Sequence, residues 1–175
     1  MQRKVEIPED IEMEISKNKV KATKNGETLE KKFDLEKIKL KKEDKEIKIT
    51  TEEPVKKHQK AMLGTIQGKI QNMIKGLQKG HEYKLRIIYQ HFPMRVNKEK
   101  DKIKIENFAG EQEPRYVDIL GDTEVEIKGE EITVKGKDKE KAGQTAANLE
   151  QATWIKNKDP RVFEDGIYIT KKPRD

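Results

Sequence analysis

The chain has 175 residues, 41% of them charged and 32% hydrophobic, with no cysteine, a net charge of +6 and a pI near 9.2. That length allows one or two domains. The missing cysteines exclude disulfides and thiolate chemistry and suit a reducing compartment, and no apolar run reaches the roughly 18 residues that a membrane helix needs.

The N-terminus, Met1-Gln2-Arg3-Lys4-Val5-Glu6-Ile7-Pro8, lacks the apolar stretch of a secretion signal, so a cytoplasmic protein is expected. Residues 5–49 read as strands. Val5 and Ile7, then Ile11, Met13 and Ile15, alternate with charges, as do Val20 and Ala22, Ile38 and Leu40, and Ile47 and Ile49. Period-two alternation predicts a sheet with one buried and one wet face. Lys24-Asn25-Gly26-Glu27 is a hairpin turn signal, and Lys42-Glu43-Asp44-Lys45 is a weaker one. Met62, Ile66, Ile70, Met73 and Leu77 then recur at helical spacing, which predicts a helix covering the sheet, with Pro54 in its first turn and Gly80 at its exit. Tyr83, Leu85, Ile87 and Tyr89 alternate again and predict a return strand. At His91-Phe92-Pro93 a proline interrupts that run. The expected domains are therefore 1–90 and 91–175.

The second half repeats the order. Ile103 and Ile105 alternate, Val125-Ile127 and Ile132-Val134 flank a turn at Lys128-Gly129-Glu130, and Asp138 reads as a helix N-cap. Ala142, Ala146, Leu149 and Thr153 form a narrow stripe suited to close packing, and Ile167 and Ile169 make a closing strand. Glu46-Ile47-Lys48-Ile49 matches Glu131-Ile132-Thr133-Val134, and the stretch Lys60–Ile74 matches Lys141–Ile155. The fold class expected is α+β: a tandem duplication of two similar domains, each an antiparallel sheet covered by one helix. The alternative is two unrelated halves of one class.

Catalysis finds no foothold in the sequence. Ser16 is the only serine and has no histidine near it in sequence. His58, His81 and His91 fit no zinc spacing. Gly64-Thr65-Ile66-Gln67-Gly68-Lys69-Ile70 misses a phosphate loop twice: three residues separate the glycines where four are needed, and Ile70 stands where Ser or Thr is required. The acidic pairs Glu52-Glu53 and Glu130-Glu131 read as solvated faces. No enzyme, metal, cofactor or small-molecule substrate is expected.

The functional signal lies at residues 151–175. Lys156, Lys158 and Arg161 lie between Trp154 and the pair Phe163 and Tyr168, in a chain only 5% aromatic. Cations beside flat rings and flexible backbone are the materials of phosphate and base recognition. The first 90 residues hold 22 basic against 15 acidic side chains and the rest 17 against 18, so any nucleic-acid contact in the second half must come from a local patch. Residues 151–175 supply one, with six basic against four acidic. Arg161 suits a forked contact to a phosphate or a guanine edge. Gly166 suits close backbone approach. Asp165 would brace the loop, or accept from a ribose hydroxyl or a base amino group. Phe163 and Tyr168 would stack on bases or anchor the loop to the sheet, and Trp154 reads as helix packing.

Gln151, Ile155, Lys158, Arg161, Phe163, Asp165, Gly166, Ile167, Tyr168, Ile169 and Lys172 match in type and spacing the C-terminal signature of the large-subunit ribosomal protein L6 family, in its archaeal and eukaryotic form. Leu85-Arg86-Ile87-Ile88-Tyr89 followed by His91-Phe92-Pro93-Met94 also resembles that family's domain junction. The resemblance implies two similar α+β domains, the second being the main rRNA-binding domain. It implies large-subunit rRNA and neighbouring large-subunit proteins as partners, a place near the sarcin–ricin loop where translational GTPases dock, residence in the cytoplasmic ribosome, and no catalysis. On this reading Lys156, Lys158, Arg161, Lys171, Lys172 and Arg174 neutralise phosphates, and Gln144, Asn148 and Gln151 offer hydrogen bonds to RNA. The rival readings are an RNA-binding module outside the ribosome and a protein-interaction scaffold.

Overall fold

A computed structural model describes residues 1–35, 37–51, 55–159 and 161–173. The chain divides into two compact units, Met1–Lys79 and Gly80–Asp175. The expected Pro54 contact at the first helix and the expected phosphate contact of Arg174 fall on residues outside those described.

The first unit runs β1 (Gln2–Glu6), β2 (Glu12–Ser16), β3 (Lys19–Lys24), β4 (Glu27–Lys32), β5 (Ile38–Glu43), β6 (Glu46–Thr51) and α1 (Lys57–Lys79). The strands form two antiparallel three-stranded sheets, ordered β1-β6-β5 and β2-β3-β4. Both turn signals are used: Asn25 and Gly26 take φ of 49° and 83° between β3 and β4, and Asp44 takes φ of 39° between β5 and β6. Val5, Met13, Val20, Ala22, Ile47 and Ile49 form one wall of the core, and Leu63, Ile66, Ile70, Met73 and Leu77 of α1 close it. Of the predicted helical stripe only Met62 is partly exposed, and Leu63 takes its place.

The second unit runs β7 (His81–Ile88), β8 (Arg95–Glu99), β9 (Lys102–Glu106), β10 (Arg115–Asp118), β11 (Glu124–Lys128), β12 (Glu131–Gly136), α2 (Lys139–Ala152) and β13 (Gly166–Lys171). Its sheets are the antiparallel β11-β12-β7-β13 and β10-β9-β8. Leu85, Ile103, Ile105, Ile132, Val134, Ala146, Leu149 and Ile167 are almost completely buried. The predicted N-cap is present, with Asp138 Oδ1 accepting the amide of Glu140 at 2.9 Å.

Two expectations change. The strand 81–88 does not close the first domain. It pairs with β12 on one side and β13 on the other, so the units divide between Lys79 and Gly80 rather than between 90 and 91. Each unit also holds two sheets, not one. The duplication is clearer with β7 moved. Val5 of β1 opposes Ile47 of β6, and Leu85 of β7 opposes Ile132 of β12, all four buried. Each repeat therefore opens with a strand that pairs with the strand entering its helix, and the second adds β13 to the far side.

Candidate nucleic-acid interface

The C-terminal stretch is held by the end of α2. Thr153, buried at that end, uses one oxygen twice: its hydroxyl donates to the Glu150 carbonyl at 3.2 Å and accepts the Ile167 amide at 2.8 Å. Glu150 Oε1 accepts the Ile169 amide at 2.9 Å. The α2 terminus is thus stitched to the start of β13. Arg115 of β10 donates to the Ala152 carbonyl at 2.5 Å and lies over the Phe108 ring, 4.4 Å from its centroid. A cation at this point also opposes the negative end of the helix dipole.

Between these anchors runs the loop 154–165. Asp159 shapes its tip, its side chain accepting the Arg161 amide at 2.9 Å and its carbonyl accepting the amides of Val162 and Phe163 at 3.1 and 3.0 Å. Phe163 does not face solvent as a free ring. It stacks on His91, with centroids 4.4 Å apart and planes at 24°, and Lys158 Nζ sits 4.3 Å from its centroid. Its ring is engaged within the unit, on His91 beyond the end of β7 rather than on the sheet itself.

Asp165 is turned inward and is 2% exposed. Its carboxylate meets His91 Nδ1 at 2.9 Å and accepts the His91 amide at 3.2 Å. Burial pushes this carboxyl up. The His91 ring and the amides of His91, Gln90 and Phe92 outweigh that and hold it below the usual carboxylate range. An ionised carboxylate only accepts, so Nδ1 of His91 carries a proton. Of the roles expected for Asp165, bracing the loop is the one in which its oxygens are engaged.

Gly166 is buried, and a Cβ there would lie 3.2 Å from the Thr153 carbonyl oxygen and 3.3 Å from the Tyr168 ring, so packing by itself calls for glycine here.

Charged and apolar side chains both face outward. Lys156, Lys158 and Arg161 are all exposed, the Arg161 side chain at 92%. Arg161 lies 3.9 Å from Asp159, a contact too long and too wet to hold it. Trp154, read from sequence as packing, is instead 54% exposed, and Val162 is 57% exposed. Tyr168 is half-exposed on the outer face of β13 opposite Arg86. Burial, and then the charges of Glu164, Asp165 and Glu150, raise its phenol above the ordinary value.

The remaining residues do not join one patch. Lys171 and Lys172 are exposed at the far end of β13, about 17 Å along the strand from Gly166. Gln144, Asn148 and Gln151 line one face of α2, with Gln144 donating to Asn148 at 2.8 Å. The structural partners missed from sequence are His91 and Arg115. Each acts on a residue far along the chain, and no local motif marks such a contact. Among the described residues no cluster of three acids or histidines could hold a metal, and no helix is long and apolar enough to cross a membrane.

A family model described as ribosomal protein L6 matches residues 92–166. Over 98% of its length the chain is 46% identical to the large ribosomal subunit protein uL6 of Archaeoglobus fulgidus, covering 90% of that protein. It is 44% identical to the protein of the same name from Methanobrevibacter smithii, over 98% of this chain and 96% of the relative. The uL6 of Haloarcula marismortui is 57% identical over 63% of this chain and 62% of its own length.

Proposed function

The chain belongs to the ribosomal protein L6 family, and from that premise we propose that it is a structural constituent of the large ribosomal subunit. Its second unit binds large-subunit rRNA near the sarcin–ricin loop and the region where translational GTPases dock, beside neighbouring large-subunit proteins in the cytoplasmic ribosome. It does no chemistry. Its work is to hold an RNA fold in place by contact geometry and charge.

One observation carries the RNA-binding reading. Lys156, Lys158 and Arg161 are exposed on a loop braced at its end, where Asp165 bonds to His91, Phe163 stacks on His91, and Gly166 packs against Thr153. A loop already braced loses little backbone freedom on binding, so more of the phosphate attraction of its cations remains as affinity. The exposed Trp154 and Val162 give the same surface apolar contact area for a base or sugar.

The test is filter binding of the full chain to in-vitro-transcribed large-subunit rRNA across a salt series. The triple variant Lys156→Ala, Lys158→Ala, Arg161→Ala should keep its fold, since all three side chains are exposed. Removing three phosphate contacts should flatten the log–log salt slope by about 2 to 3. An unchanged slope and affinity would remove this loop from the interface, and salt-independent partner binding would favour a protein scaffold.

A further inference from the structure

We propose that the first unit carries a second RNA-binding surface, on the N-terminal half of α1 together with Arg3, which takes the phosphate backbone of structured RNA. This goes beyond the loop of the second unit but rests on the same reading of the partner as rRNA.

In a chain with 33 acidic residues, α1 has none: its 23 residues carry five lysines and one histidine. Its outward strip follows the helical repeat through Lys57, Lys60, Gly64, Gly68, Gln71, Lys75 and Lys79, every one exposed or part-exposed. The two ends of the strip differ. Glu6 and Glu46 of the neighbouring strands line one groove with Gln71 and Lys75, so charge is balanced there. At the other end, Lys57 and Lys60 have no carboxylate partner among the described residues.

Arg3 marks the middle of the strip. Its guanidinium lies beside Gly64, with Nη1 3.7 Å from where a Cβ would stand. Its partner is a neutral amide: Nη1 donates to Gln67 Oε1 at 2.7 Å, and Gln67 is fixed in turn by donating from Nε2 to the Lys4 carbonyl at 3.2 Å. A guanidinium has five N–H donors, and one is spent here. Surface arginines in a chain so rich in acids ordinarily meet a carboxylate. This one is held by a braced amide with no carboxylate partner among the described residues, which leaves its remaining donors for a bidentate phosphate contact.

Lys60 and Gly64 are separated by about 6 Å of helix rise, so Lys57, Lys60 and Arg3 present cations in file. Beyond them a Cβ at Gly68 would meet nothing within 4 Å. The surface there is low and open, and a broad, shallow RNA groove can come close to it.

The test uses the full chain and in-vitro-transcribed large-subunit rRNA. Gly68→Glu adds bulk and negative charge into open space. It should melt at or above the parent temperature, because glycine is a poor residue inside a helix, yet bind RNA at least tenfold more weakly. Arg3→Gln with Lys60→Gln should flatten the salt slope by about 1.4 to 1.8, the share of two phosphates.

Full affinity and slope in both variants, with the second-unit triple variant still impaired, overturns this inference alone. Full affinity in all three overturns both readings. Full RNA affinity with failure to enter large subunits assigns the face to a protein and also overturns it.

Discussion

His91 and Asp165, 74 positions apart, form the pin of the C-terminal loop: Nδ1 and Oδ1 lie 2.9 Å apart, and the His91 amide donates to the second carboxylate oxygen. The Asp165 side chain is thus engaged inside the protein. Lys158 and Arg161 on the same loop are exposed.

That pin predicts a pH dependence. The folded pKa of Asp165 lies below its unfolded value, so the carboxylate stabilises the fold above the ordinary value near 3.9 and loses that contribution as pH falls through the folded pKa. Asp165→Asn should therefore be less stable than the parent at pH 7 by about 1 to 3 kcal/mol. The gap should begin to narrow below about pH 4 and close as pH falls through the folded pKa. Urea unfolding at a series of pH values measures it, and a gap that stays constant to low pH would show that Asp165 is not held as a carboxylate.

Gly166→Ala separates packing from access. The added methyl would press on the Thr153 carbonyl and the Tyr168 ring, at 3.2 and 3.3 Å. A crowded core site of this kind costs about 1 to 3 kcal/mol. The melting temperature should fall, while rRNA affinity measured well below the melt stays near the parent's. The opposite pattern, normal melting with weakened binding, would put Gly166 back at the RNA surface.

Ile70→Asp tests the first unit by itself. Ile70 is fully buried among Leu63, Ile66 and Met73. An unpaired carboxylate there costs several kcal/mol, against a total domain stability of about 5 to 15 kcal/mol. Limited proteolysis should then cut within residues 1–79 and spare 80–175. Parent-like resistance of the first unit would overturn the placement of α1 on its sheets.

Periodicity made most of this fold legible. Alternation marked most strands but not β4, β8 or β10, the step of three and four marked both helices, and Asn25-Gly26 and Asp138 marked a turn and a cap through chemistry that acts within a few residues. What stayed hidden depends on distant pairing. Alternation in 81–88 announces a strand but not which sheet it joins, and hydrogen bonds to β12 and β13 decide that. The same limit explains the site. Lys156, Lys158 and Arg161 were readable as exposed cations, whereas the inward turn of Asp165 and the stacking of Phe163 both depend on His91 across the unit.

Trp154 is the sharpest reversal. Following the α2 stripe Ala142, Ala146, Leu149 and Thr153, an apolar residue reads as one more packing contact. The chain leaves the helix at Thr153, and that turns the indole outward to 54% exposure. An exposed tryptophan beside Lys156 has little folding role to lose, so Trp154→Ala should change stability by no more than about 0.5 kcal/mol. If the ring stacks on a base or sugar, the same change should weaken rRNA binding by about 1 to 3 kcal/mol, roughly 5- to 150-fold. Because stacking releases few counterions, the salt slope should stay unchanged, unlike that of the lysine and arginine variants. A large drop in melting temperature would return Trp154 to the core, and unchanged affinity would leave the phosphate contacts to act without it.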